Sequence, residues 1–539
     1  MMKNEVKNLD IVHKIIHVLE LALLLFLIFI SFFYKLGYEN INVDQFLWYD
    51  RTEKFFKALS EGKFASTYQQ YHPGVTLMYL IGLGRLVYQK FTGDYSSWAD
   101  ITYENFGTYN FYTKLFVVIF CLLIIFYSAF VIYKITSSGK MSLAFLFFLF
   151  LESYYVGLIR NLHMDGILSV LIFSSVLSYY YGCTSKSSKY VIFSGILSGL
   201  GLLTKSPSIF ILPFCGIIFL SLFIKRKEDR KWLVQKTVIW LLLAILVFFA
   251  LFPAMWVAPL DTLRRIIYDG VLDTGVSGGF NHYINDVRIR DPGFPFYFLV
   301  LKYRLTPILQ FLIILFIVYI LLTFLLGTFR KRHPDREKIL DIILFSFIFV
   351  LIYLAAFIAL KKKTDRYMSP IYPFLVFIAA YGFCKFIDLM RRREKKIYYV
   401  ILKILFSAGV LVGSAYYVWN ISTIKPYFMA YYNPLWGGIK KAKDEIYLNQ
   451  GGIGVFEIAE YLHSLNLPEN TEIAARSIRE LTAVTKYSIR KPNLDRIDMY
   501  DLVILPLQRD LLFKKGRKNI KVFKIQNQDY WKVYSALDL

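Results

Sequence analysis

Asp44 is the first residue whose type and position invite chemistry. It follows the opening apolar run and heads DQFLWYDRTEKFFKALS, a stretch that reads as a helix lying flat at a membrane surface. Phe46, Leu47, Phe55, Phe56 and Leu59 fall near one face, and Asp50, Arg51, Glu53 and Lys54 on the other. An N-cap carboxylate there accepts backbone N–H groups and stays ionised. His72-Pro73-Gly74 follows as a rigid turn into a second helix. RNLHMDGIL sets Arg160, His163 and Asp165 between adjacent apolar runs, where ionisable groups line a polar cavity or occupy a tight external turn. ALKKKTDRYMSPIYP gathers Lys361, Lys362, Lys363 and Arg366; an anionic ligand or lipid headgroups account for such a cluster. Lys205, at a span end before Pro207, snorkels or binds phosphate. The chemistry these types allow is proton abstraction by a fixed carboxylate beside cations that hold an anion.

The elements that must position them are membrane spans. The chain has 539 residues, 56% hydrophobic and 18% aromatic, with mean hydropathy +0.47. That composition predicts a polytopic α-helical membrane protein. Its net charge of +24 is spread along the flanks of apolar runs, which speaks for topology and against a nucleic-acid surface. Runs near 14–34, 111–133, 141–160, 166–182, 190–204, 206–224, 237–257, 298–327, 339–360, 369–389 and 397–419 predict about eleven spans. Residues 73–91, interrupted by Arg85, Gln89 and Lys90, read as a surface helix.

Lys186, Lys189 and the basic stretches 225–236, 329–338 and 391–396 all fall on one side, which the positive-inside rule makes cytoplasmic. The first loop (35–110), Asp165, the 258–297 loop and the C-terminal region then face outward. Lys361–Arg366 also lands outside, against the rule, so it asks for a local reason. Residues 1–419 form the membrane module. Residues 420–539 lack a membrane-length run and predict a small extracytoplasmic α/β domain with strands at 471–477, 501–507, 520–526 and 529–536. Cys121, Cys183, Cys215 and Cys384 lie in or beside apolar runs, which argues against a disulfide framework or thiolate metal site. His282 and Asp286 are weak candidates for acceptor or metal contact. No His, Asp and Glu spacing suits a metal, and neither metal nor other cofactor is expected.

TYQQYHPGVT, KKKTDRYMSPIYPF, RDPGFPFYFLVLKYRLTP and YYNPLWGG together resemble segments of the GT-C glycosyltransferases. The nearest branch is the bacterial relatives of dolichyl-phosphate-mannose–protein mannosyltransferases and of the lipid A aminoarabinose transferase. The resemblance implies a catalytic aspartate at Asp44 and a second acid at Asp165. It implies a donor-phosphate site from Arg304, Lys362, Lys363 and Arg366, with Lys205 a weaker member. His72, Arg160, His163 and Tyr367 are then substrate contacts. The family's GWGEG is degraded here to GIGVF (452–456).

The implied reaction moves a sugar, with inversion, from a polyprenyl phosphate to an external hydroxyl of a protein, lipid or envelope glycan. Asp44 is its general base, and the implied location is a multi-pass inner membrane. A ligase of the same fold, a lipid-linked sugar flippase and a silent scaffold are the alternatives. The charged residues gather at a rim rather than at the midplane, and no two-fold repeat is visible, unlike most transporters.

Overall fold

The computed structural model describes residues 22–277, 282–284, 287–325, 334–391, 419, 421–446, 448, 452–468, 470–493, 498–506 and 517–536. Among them, six helices are long and apolar enough to cross a membrane, or up to eight if each of two bent pairs is one span. The chain is an integral membrane protein.

The described residues start with α1 (Ala22–Phe33), part of the first apolar run. The first loop carries α2 (Gln45–Ser60) and α3 (Val75–Thr92). Then come α4 (Tyr103–Thr136), α5 (Gly139–Leu151), α6 (Ser153–Arg160), α7 (Met164–Thr184), α8 (Ser188–Thr204), α9 (Ile211–Lys225) and α10 (Arg230–Leu251). Two short helices, α11 (Ala254–Val257) and α12 (Pro259–Arg265), lead to a hairpin of β1 (His282–Ile284) and β2 (Val287–Ile289). The membrane module continues with α13 (Phe296–Arg304), α14 (Pro307–Leu325), α15 (Pro334–Ala359) and α16 (Tyr372–Arg391). Asp286 and nearly all of the run 397–419 lie outside the described residues.

Two runs read as single spans are broken. α5 and α6 meet at 77°, and α13 and α14 at 111°. Pro307 supplies the second break, because it has no N–H and pushes Thr306 out of the helical region. Glu152, between α5 and α6, accepts hydrogen bonds from the Thr306 backbone N–H (3.2 Å) and the Thr306 hydroxyl. One buried carboxylate thus ties the two breaks together at a depth where polar groups must find internal partners. The run 190–204 forms α8, which has 17 residues, about 26 Å of helix and at the short end of the spanning range.

α4, at 34 residues, is about 51 Å long, so it overreaches the bilayer and carries the first loop on its early turns. Gln45 Nε2 donates to Asn110 Oδ1 (2.9 Å), Tyr49 bonds Asn110 and Thr113, and Asn110 Nδ2 donates to Gly37 O. This buried network packs α2 onto the bundle with Phe46, Phe55, Phe56 and Leu59 toward the core, as expected. Gln45, Trp48, Tyr49, Thr52 and Phe55 face inward, while Leu47 is 39% exposed.

Charged contacts gather at two opposite ends of the bundle. At one, Lys186 pairs with Asp229, Lys225 with Asp341, and Arg226 donates to Thr184 O. At the other, reached along the 21 residues of α7, lie Asp165 and its partners.

The C-terminal region holds a five-stranded mixed sheet of β3 (Ile473–Ala475), β4 (Ile489–Arg490), β5 (Leu502–Pro506), β6 (Lys518–Ile525) and β7 (Gln528–Ser535), in the order β4-β3-β5-β7-β6. The two-residue β4 is too short for a sequence pattern to mark. GIGVF docks onto the first loop: Ile41 N–H donates to Gly452 O (3.2 Å), Asn40 bridges Ile453, and Trp531 Nε1 donates to Ile453 O. Gly452 has φ +68°, and a Cβ there would lie 1.7 Å from Ile41 O. Only glycine permits this approach.

Candidate active site

Four element ends meet around Asp44. These are the start of α2, the α6–α7 turn, the C-terminal end of α8, and the 3₁₀ turn Asp365–Ile371 ahead of α16. The 3₁₀ turn is pinned to α7 by Ser369 Oγ, which donates to Asp165 O (3.0 Å). The YHPGVT segment closes a further side. Gly74 N–H donates to Thr204 O, and Thr76 Oγ1 to Leu200 O, so the turn sits on the end of α8. Gly74 has φ +61°, and a Cβ there would lie 2.3 Å from the Trp48 ring.

Asp44 does stand at the N-cap of α2, but its carboxylate makes no cap hydrogen bond. That expectation is corrected. Asn42 Oδ1 accepts from Asp44 N–H instead, and the Asp44 side chain turns to other partners. Asp44 Oδ2 lies 3.0 Å from Arg366 Nη2, which donates to it, and 3.5 Å from His163 Nε2. Burial raises the carboxyl pKa, but contact with His163 and the Arg366 charge outweigh it and hold the group well below the usual carboxylate range.

Asp165, in the first turn of α7, is buried. Its Oδ1 accepts from Lys205 Nζ at 2.6 Å. Its Oδ2 lies 2.8 Å from His163 Nδ1, a close contact out of line for a regular hydrogen bond, and 3.7 Å from Arg366 Nε. Lys205 Nζ also sits 4.7 Å over the Tyr367 ring. His72 Nδ1 is 3.1 Å from Ser206 Oγ. Burial first, then the nearby Lys205 and Lys362 charges, push the His72 imidazole well below its usual pKa, so it acts as a neutral hydrogen-bonding group.

The basic residues divide into committed and open ones. Lys362 is half-buried and has no hydrogen bond or ion pair among the described residues. Burial and Arg366 lower its pKa, while Asp44 acts to raise it. Lys363 is committed: it is buried and bonded to Asp291 Oδ1 (2.9 Å) and Leu360 O. Arg304 is fully buried, with Nη2 and Nε on Asp365 Oδ2 (2.6 and 3.1 Å), Nη1 on Met429 O and Tyr431 O, and Tyr432 OH within 2.7 Å. It staples the α13–α14 break to the YYNPL segment and has no edge left for a phosphate. Arg160 donates to Ser31 O and Tyr34 O and lies 3.5 Å from Glu39 Oε1. These three positions, expected at the ligand, are held by protein partners.

Sequence reasoning missed the Glu39–Lys114 pair (3.1 Å, both buried) and the Glu152–Thr306 tie. A lysine within the apolar pattern of α4 was the one available signal. Among the described residues, no group of three or more His, Cys, Asp or Glu side chains is arranged to hold a metal.

Residues 102–256 match the family model described as dolichyl-phosphate-mannose-protein mannosyltransferase. ArnT from Cupriavidus metallidurans, in its apo state, aligns over 98% of each chain at 12% identity with TM-score 0.49. The same protein bound to undecaprenyl phosphate gives 12% identity over 97% of this chain and 98% of that one, TM-score 0.47. The archaeal oligosaccharyltransferase AglB from Archaeoglobus fulgidus, in complex with an inhibitory peptide and a dolichol-phosphate, gives 10% identity over 90% of this chain and 69% of that one, TM-score 0.46. No curated protein sequence matches the chain. Through residues 102–256 the chain resembles the GT-C glycosyltransferases of the dolichyl-phosphate-mannose–protein mannosyltransferase kind.

Proposed function

We propose that this protein transfers a sugar from a polyprenyl-phosphate donor to a hydroxyl acceptor on the outer side of the membrane, with Asp44 as general base. The observation that carries the reading is the meeting of Asp44 with Arg366 at 3.0 Å beside a Lys362 that has no partner among the described residues. Asp44 is about one-third exposed, so an acceptor can reach it. Asp44 and Asp165 face Lys205, Lys362 and Arg366, and the Arg51 charge also acts on Asp44, so cations outnumber carboxylates there. Surplus positive charge suits an anionic phosphodiester donor, and fixed cations favour the charge that grows on the leaving phosphate. The scheme uses lysine and arginine at the leaving group and calls on no metal or cofactor. The family match over residues 102–256 supports the reaction class.

The test is purified protein in lipid vesicles with a panel of labelled polyprenyl-phosphate sugars and hydroxyl acceptors. Transfer by the parent and its loss in Asp44→Asn are expected; full transfer in that variant would remove Asp44 from the role.

A further inference from the structure

Asp44, Trp48 and Arg51 recur along α2 at i, i+4 and i+7, so they share one helix face. Helical side chains lean toward the N-terminus, and the Arg51 guanidinium does so, sitting over the Trp48 ring 4.7 Å from its centroid. The ring beneath is buried and packs against Gly74 of the HPG turn, which fixes the platform. Arg51 itself is half-buried and has no hydrogen bond or ion pair among the described residues. The carboxylates whose charge reaches it, Asp44 and Asp50, are bonded to Arg366 and to Lys54 (2.6 Å). Arg160, Arg304 and Arg366, by contrast, all hold protein oxygens. Lys362 feels Arg366 and Asp44, whereas Arg51 feels Asp44, Tyr71 and Asp50. Asp44 is the acid common to both. The two uncommitted cations therefore flank it, one beside Arg366 and the other along α2.

Resting on the transferase reading, we infer that Arg51 is a specificity residue that binds a carboxylate on the substrate, so that the sugar transferred or the acceptor receiving it is a uronic acid. A guanidinium presents its N–H donors as a planar fork that matches a carboxylate two-on-two, and a ring beneath it shields the pair from water. A single guanidinium suits the single charge of a carboxylate better than the near-double charge of a phosphate monoester. Lys362 and Arg366 serve the donor phosphate, so Arg51 reads a second acid rather than the leaving group. It moves no proton and makes no covalent bond. It holds the acidic substrate against α2 while the reacting hydroxyl meets Asp44.

Two measurements on the full chain in lipid test this. The first uses substrates paired to differ only in a carboxylate: polyprenyl-phosphate hexuronic acids against the matching hexoses as donors, and methyl hexuronides against methyl hexosides as acceptors. The parent is expected to favour the acid in kcat/KM by roughly 10–100-fold in one arm, the scale of hydrogen bonds to a charged group. The arm that shows it tells whether the carboxylate sits on the donor sugar or on the acceptor. The preference should collapse in Arg51→Gln and return in part in Arg51→Lys, which restores the charge without the fork. Each ratio is taken within one variant, so a general loss of activity cancels. A parent ratio near one, a ratio unchanged in Arg51→Gln, or a preference for sugar phosphates over uronic acids overturns the inference. The second measurement needs no turnover: saturation-transfer NMR of the methyl hexuronides with the parent and Arg51→Gln. Where the parent transfers from no donor, uronide signals that vanish in Arg51→Gln count against the transferase reading alone. Where those signals are absent or indifferent to Arg51→Gln as well, the inference falls with it.

Discussion

Arg366 donates through Nη2 to Asp44 Oδ2 at 3.0 Å, joining residues 322 positions apart in sequence. The His163 contact and this pairing keep Asp44 ionised, so their contribution to stability is present above the ordinary carboxylate pKa and lost as pH falls through the depressed folded value. Arg366→Gln should therefore bring acid unfolding to higher pH, read as thermal midpoints across about pH 3–7. The same variant should slow transfer at least tenfold.

Lys362 and Lys363 are neighbours with opposite expectations. Lys362→Gln should raise the donor KM about tenfold with little change in thermal midpoint, because no described contact is lost. Lys363→Gln should lower the midpoint instead, since Lys363 holds Asp291 and Leu360 O from a buried position. Equal KM effects in the two variants would count against this division.

Arg304→Gln should destabilise by about 3–5 kcal/mol, the usual cost of breaking a buried ion pair from one side. Thermal unfolding and limited proteolysis near residues 429–432 would register it. A folded variant with only a raised donor KM would return Arg304 to the phosphate site.

Glu457, in the first turn of the helix Val455–Ser464, is raised to about 7, chiefly by burial, with Lys35 acting the other way. Its folded pKa exceeds the unfolded one, so the folded state holds more protons between about pH 4.5 and 7. Stability should fall as pH rises through that window. Glu457→Gln should flatten the fall and raise stability at pH 8 by on the order of 1–3 kcal/mol, read from thermal midpoints.

Much of the site was legible because an ionisable side chain at the end of an apolar run stands out. Asp44, His163, Asp165, Lys205 and Arg366 were all visible this way, and the fold brings them into contact. Which cations were already committed was not legible. Arg304 is taken by Asp365, 61 positions away, and Arg160 faces Glu39 across a gap about twice as long, so only tertiary packing reveals the pairing. The breaks at Glu152 and Thr306 were hidden because hydropathy counts apolar residues and does not register a bend. Pro307 was the one local sign. The Asp44 cap failed for a related reason: a helix-end rule cannot foresee a distant arginine.

The Gly452–Ile41 contact has a consequence for how this chain can be cut or recombined. The tail after residue 420 grips the loop that begins a few positions before Asp44, at Asn40 and Ile41. Exchanging that tail for another protein's would therefore disturb the strand of chain leading into the reacting acid. A functional chimera would have to carry its own first loop with it.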